Sequence, residues 1–203
     1  MPPATARTAA KGDLHARARR APYNPRMNAE TLLAVPRPAD AAAPPTAQAV
    51  DAVHFRSALG QFATGVTIVT ALDRDGRPVG LTASSFNSVS LEPPLVLWSL
   101  SLRSGSLAAF RDASHYAINV LAAEQLDLAR RFAGRRESRF EGVAWEPGRG
   151  GAPVLDGCVA VFECRNRNRH EEGDHLIFVG QVEACRLDPR PPLLYHRGAF
   201  LLD

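Results

Sequence analysis

Cysteine is scarce in this chain. Its three thiols, Cys158, Cys164 and Cys185, are odd in number, and no two stand at CxxC spacing. That argues against a disulfide framework and against a structural zinc, so no metal is expected. No apolar run approaches the roughly eighteen residues of a membrane-crossing helix. No GxGxxG follows a first strand, which removes a Rossmann dinucleotide fold. A phosphate-binding GxxxxGK loop, a zinc-protease HExxH and a hydrolase GxSxG elbow are absent too. No internal repeat is visible. A basic face is also missing once the charge is located. The formal charge is +3, but residues 1–50 hold seven of the 24 basic residues and three of the 21 acidic ones. The remainder carries 17 bases against 18 acids, a net −1. Nucleic acid is therefore not an expected partner.

What is present is enough for one domain with a real core: 203 residues, 45% of them apolar. Residues 1–50 are rich in Ala, Pro and Arg without a sustained apolar period, and read as a disordered N-terminal extension. They lack an apolar signal region, and Met27 is an alternative start. Residues 51–203 form the domain. DAVHFRSALGQFATG spaces Val53, Phe55 or Arg56, Leu59 and Phe62 as on a helix, with Gly65 as its stop. VTIVTAL (66–72) is strand-like, and the Asp-Gly of DRDGRP is a turn signal. VGLTASSFNSVSL supplies one or two strands and LVLWSLS (95–101) a buried one. Residues 104–112 predict a short helix with Ser104 as N-cap. HYAINVLA (115–122) reads as a strand and 123–134 as a helix ending in glycine. After a looser section, two long strands, 158–170 and 174–187, are joined by a tight turn. PPLLYHRGAFLLD closes the chain as a final strand or bracing segment. Many strands, few helices and tight turns favour a mainly β fold, a small antiparallel barrel. Cys158 and Cys164, in apolar strand sequence, suit buried thiols in a reducing cytoplasm.

Four polar clusters stand out. In TASSFNSVSL (82–91), strand alternation would place Thr82, Ser84, Phe86, Ser88 and Ser90 on one face. Small hydroxyls let a flat ligand approach the backbone and still offer donors and acceptors. The same residues also suit an edge strand with Ser/Thr cross-strand pairs. In SLSLRSGS, Ser99, Ser101, Ser104 and Ser106 surround Arg103 before a helix. That is a phosphate cradle or simple N-capping. In EEGDHLIFVGQV, His175 begins a strand, where it can hold a ligand or donate a proton, or merely occupy a turn. In YHRGAF, Arg197 suits a phosphate, a carboxylate or a structural ion pair.

The ordered segments FRSALGQFATGVTIVTA, PVGLTASSFNSVSLEPPLVLWSL, HYAINVL, ARRFAG, GDHLIFVGQVEA and LLYHRGAF together resemble the flavin reductase-like family. Its members are the small reductase components of two-component flavin-dependent monooxygenases. The resemblance spans about residues 52–200. It implies a split β-barrel, of Greek-key-like antiparallel build, that binds FMN or FAD and forms a homodimer. It implies hydride transfer from nicotinamide C4 of NADH or NADPH to flavin N5, with reduced flavin passed to an oxygenase component. Val79, Gly80, Leu81, Thr82, Ala83, Ser84 and Ser85 would then line the flavin ring and ribityl chain, with Ser88 and Ser90 beyond. Ser99, Ser101, Ser104 and Ser106 would hold its phosphate side, and Arg131 and Phe132 the phosphate or adenine region. Gly173, Asp174 and His175, with Tyr195, Arg197 and Gly198, would surround the nicotinamide nucleotide, His175 acting as the catalytic residue. His196 departs from the pattern, since many relatives carry an aromatic there. RNRNRH (165–170) is unusually basic, and suits either a 2′-phosphate or a solvated ladder. A non-catalytic flavin-binding module, or a flavoenzyme that keeps FMN and reduces a small acceptor, are the alternatives.

Overall fold

The structure is a computed structural model and describes residues 50–134 and 138–201. The expected extension lies outside these residues except for Val50, and so does Met27. The described residues form α1 (Ala52–Leu59), β1 (Thr64–Gly65), β2 (Thr67–Leu72), β3 (Pro78–Ala83), β4 (Asn87–Leu91) and β5 (Pro94–Ser101). Then come α2 (Leu107–Asp112), β6 (His115–Val120), α3 (Leu126–Ala133), β7 (Trp145–Pro147) and β8 (Pro153–Leu155). The long pair β9 (Ala160–Glu172) and β10 (His175–Leu187) follows, then β11 (Leu194–His196) and β12 (Ala199–Leu201).

Seven strands form one sheet in the order β3-β2-β6-β9-β10-β5-β4, with every pair antiparallel. The order explains the shape. Its two edge strands, β3 and β4, are consecutive in the chain and separated only by Ser84, Ser85 and Phe86. Laid flat, six strand spacings of about 4.8 Å would part them by roughly 29 Å. The four Cα steps from Ala83 to Asn87 reach at most about 14 Å. The sheet must therefore roll up until its edges meet. It becomes a barrel split along the β3–β4 seam, in line with the expected mainly β fold.

Rolling buries one face, and helices and loops cover much of the other. Inside are Val69, Ala71, Val96, Trp98, Leu100, Tyr116, Ile118, Leu176 and Phe178, with Phe110 of α2. Trp98 stacks on Phe178 at 4.5 Å and meets Tyr116 edge-on at 5.7 Å. On the outside of β2 and β6, Ile68 and Ala117 pack with Ala129 and Phe132 of α3 and with Val154 and Leu155 of β8. Asn119 ties this layer down. Its amide donates to the Ile68 carbonyl at 3.0 Å and its oxygen accepts the Leu155 N–H at 2.9 Å.

Three local expectations are revised. α1 begins as expected, with the Asp51 carboxylate accepting the Val53 and His54 N–H groups at 2.8 Å. It stops at Gly60, not Gly65, because Gly65 is needed in β1 to pair with Leu194. α2 starts at Leu107 instead of residue 104; Ser104 makes a turn before the helix, its hydroxyl accepting the Ser106 N–H at 3.3 Å. The β7–β8 hairpin within the looser section carries no long alternating run, and Asn119 holds it from a distance.

Candidate active site

The hydroxyl-rich stretch lies at the seam. β3 pairs with β2 and β4 pairs with β5, at opposite edges of the sheet, so the backbone must leave one ladder before entering the other. The break at 84–86 ends the simple alternation expected from Thr82 to Ser90. Phe86 turns inward and packs on Phe162 at 5.3 Å.

A cavity of about 200 Å³ opens here, lined by Val66, Thr82, Ala83, Ser84, Ala133, Tyr195 and Phe200. It gathers residues from the seam, the end of α3 and the β11–β12 hairpin. Tyr195 and Phe200 are cross-strand partners with ring centroids 5.2 Å apart. Val66, Ala133 and Phe200 were not anticipated. Phe200 was detectable, since a two-residue Arg-Gly turn makes it the partner of Tyr195.

The remaining β3 residues divide by face. Val79 and Leu81 pack toward Trp98. Gly80 and Thr82 face α3. A Cβ on Gly80 would lie 2.7 Å from the buried Phe132 ring, and the Thr82 hydroxyl donates to the Ala129 carbonyl at 2.7 Å. Gly80, Thr82 and Phe132 thus lock α3 beside the cavity. Arg131 lies in a separate hollow of about 330 Å³ with Leu128 and Val143, and donates to the Glu141 carbonyl at 2.8 Å. Ser88 and Ser90 lie on β4 outside the cavity lining; Ser90 donates to the Glu92 carbonyl at 3.1 Å.

Ser85 links the first cluster to the second. Its hydroxyl donates to the Ser99 carbonyl at 3.0 Å and accepts the Ser99 N–H at 2.9 Å. Ser99 and Ser101 lie on the outer face of β5, opposite Ile177 and His175 of β10. A polar lane therefore runs from Ser84 through Ser85, Ser99 and Ser101 to His175. Ser104 and Ser106 follow in the turn before α2, where the Ser104 N–H donates to the Ser101 carbonyl at 2.9 Å.

His175 follows a two-residue turn, Gly173-Asp174. Gly173 has φ +60°, which suits the first central position of a type II′ hairpin turn. His175 Nδ1 lies 2.6 Å from Asp174 Oδ1. The hydrogen bond with His175, and then the charge of that ring, hold the Asp174 carboxyl below its ordinary value. The other motif turn is Arg197-Gly198, with φ +50° and +82°, a type I′ geometry. Among the described residues Arg197 is the one non-glycine with positive φ, and its N–H donates to the Gly60 carbonyl at 2.8 Å.

In the basic stretch, Arg165 pairs with Glu183 at 2.7 Å. Arg167 and Arg169 have no ion-pair partner among the described residues.

The lining suits a flat aromatic ring system. Its walls are Val66, Ala83, Ala133 and two rings, and its rim carries Ser84. Among the described residues, the N–H groups of Ser84, Ser85 and Phe86 have no hydrogen-bond acceptor, so donors are left at the seam.

Comparison with known proteins gives the same direction. Residues 59–201 match the model of the flavin reductase like domain. The chain is 48% identical over 146 residues to the FMN reductase (NADH) SmoA of Agrobacterium fabrum, covering 72% of this chain and 83% of that protein. It is 41% identical over 155 residues to HsaB, the reductase subunit of a flavin-dependent monooxygenase of Rhodococcus jostii, covering 76% and 79% of the two chains. Its fold is similar to the Streptomyces globisporus NADH:FAD oxidoreductase SgcE6, solved in complex with NAD and FAD fragments. The TM-score is 0.72 at 38% identity, over 77% of this chain and 97% of that one.

Proposed function

The chain belongs to the flavin reductase-like domain family, and from that premise we propose that it is an NAD(P)H-dependent flavin reductase serving a partner oxygenase. The observation that carries this reading is the candidate site at the seam: the cavity, the N–H groups of residues 84–86 that have no acceptor among the described residues, and the serines leading to His175. When bound, FMN or FAD supplies the hydride acceptor and the reduced nicotinamide the donor. The chain's part is to bind, orient and release. Ser84 and the seam N–H groups would hold the ring edge where reduction places negative charge, with the Ser85 hydroxyl committed to Ser99 and tying the seam to β5. Tyr195 and Phe200 would form its apolar wall. Ser99, Ser101, Ser104 and Ser106 would meet phosphate or ribityl oxygens, and Arg197 the nicotinamide nucleotide. His175 would position the nicotinamide from the outer face of the sheet.

A reductase that hands on its product gains from a shallow site, since tight retention slows release. The similarity to HsaB, the reductase subunit of a flavin-dependent monooxygenase, supports an oxygenase partner. We also propose a homodimer. α1 buries none of its residues, and Val53, Phe55, Leu59 and Phe62 stand 52–74% exposed. An exposed apolar stripe of this kind calls for a cover. No helix among the described residues is long and apolar enough to cross a membrane. Cytoplasmic placement is proposed from the free thiols Cys158, Cys164 and Cys185.

The test is steady-state oxidation of NADH with FMN, with FAD and with neither, followed by nicotinamide absorbance. Oxidation that saturates with added flavin is expected. Turnover by a yellow protein without added flavin would instead indicate a retained cofactor and another acceptor. The same assay with NADPH asks whether Arg167 and Arg169 select a 2′-phosphate.

A further inference from the structure

His175 is one residue from an acid, Asp174, whose carboxylate lies against the imidazole. The Gly173-Asp174 turn is short and fixed at both ends. β9 and β10 pair up to Glu172 and His175, and the Asp174 carbonyl accepts the Leu102 N–H at 2.9 Å. The turn backbone is thus tied to the loop before α2, and the Asp174 side chain is left beside the imidazole, 2.6 Å from Nδ1. Both side chains face solvent, 79% exposed for Asp174 and 46% for His175. An exposed ion pair adds little to fold stability. The short contact matters for what the ring can present. A neutral imidazole donates from one nitrogen and accepts at the other, and a partner on one nitrogen selects the tautomer.

We infer that Asp174 is the positioning residue of His175: its carboxylate accepts a hydrogen bond from Nδ1–H, which keeps the proton on Nδ1 and leaves Nε2 as the unprotonated nitrogen offered on the outer face of the sheet. The ring's other neighbours leave that assignment intact. Across the ladders His175 faces Ser101 on β5 and Glu172 on β9. Arg103, from the loop before α2, acts on the Asp174 carboxylate and reinforces its charge. The catalytic consequence rests on the reductase reading; the tautomer assignment does not.

The experiment therefore has two arms on the full chain. Nitrogen-15 spectra of histidine-labelled protein, assigned with His175→Ala, should show the Nδ1-protonated form of His175 in the unmutated protein. Asp174→Ala should move the ring toward the other tautomer, and Asp174→Asn, which keeps an oxygen acceptor, should largely restore it. An unchanged tautomer in Asp174→Ala would overturn the assignment. In the kinetic arm, Asp174→Ala should lower kcat roughly tenfold with the flavin KM and melting temperature unchanged. In a His175→Ala background the same substitution should cost nothing further, because both act through one ring. A full additional loss in the double variant would overturn positioning through His175. Failure of the unmutated protein to oxidise NADH would sink the reductase reading alone, and the nitrogen spectra would still decide the Asp174 role.

Discussion

β5 and β10 each carry two rows of side chains one residue out of step. The inner row is Val96, Trp98, Leu100, Leu176 and Phe178, none more than 7% exposed. The outer row is Leu97, Ser99, Ser101, His175, Ile177 and Val179, all half-buried. The same backbone ladder holds both. Pleating alone thus separates the residues that fill the barrel from those of the candidate site. The inner row should govern stability and the outer row turnover, and substitutions can test whether the division holds.

The largest effect is expected from Phe178→Ala. It removes a fully buried ring stacked on Trp98 and should cost about 3–5 kcal/mol in urea unfolding. A small loss would mean that the inner row is not the core. Gly180→Ala attacks the same row from the opposite direction. The new Cβ would lie 2.3 Å from the Tyr116 hydroxyl and 3.0 Å from Cys164 Cβ. Overpacking of about 1–3 kcal/mol is expected, read as a lower melting temperature.

On the outer row, His175→Ala should slow turnover by about tenfold or more, equivalent to about 1.4 kcal/mol of barrier. The melting point and the flavin affinity should hold. Normal turnover would remove His175 from the mechanism. Arg197→Gly lies at the edge of the comparison. Glycine relieves the positive φ, so stability should rise by up to about 1 kcal/mol. The KM for the nicotinamide nucleotide should rise as the guanidinium is lost. Stability and binding moving together would break the division.

The thiols give the mildest test. Burial pushes Cys158 and Cys164 up to about 12, whereas Cys185 is exposed. A thiol reagent should label Cys185 in the native protein and all three thiols after unfolding. The sign of the pH effect follows from the raised folded values. The buried thiols favour the folded state below the ordinary thiol value of about 9 and lose that contribution as pH climbs toward about 12. Urea midpoints should fall across that window.

The strands, the tight turns and the antiparallel class were legible in the sequence because period, β-branching and turn glycine are local properties. The hydroxyl clusters and the residues of the GDH and YHRG turns were visible for the same reason. Tertiary structure decided how those groups are used. The Thr82 hydroxyl is taken by Ala129, 47 residues on, and Ser85 by Ser99, 14 residues on. α1 keeps the apolar spacing of a buried helix yet lies on the surface. A hydrogen bond or a buried face needs a partner, and here the partner comes from a distant segment that local pattern cannot specify. The seam itself is of this kind: TASSF comes to border the candidate site only because the sheet rolls until β3 and β4, its two far edges, stand side by side.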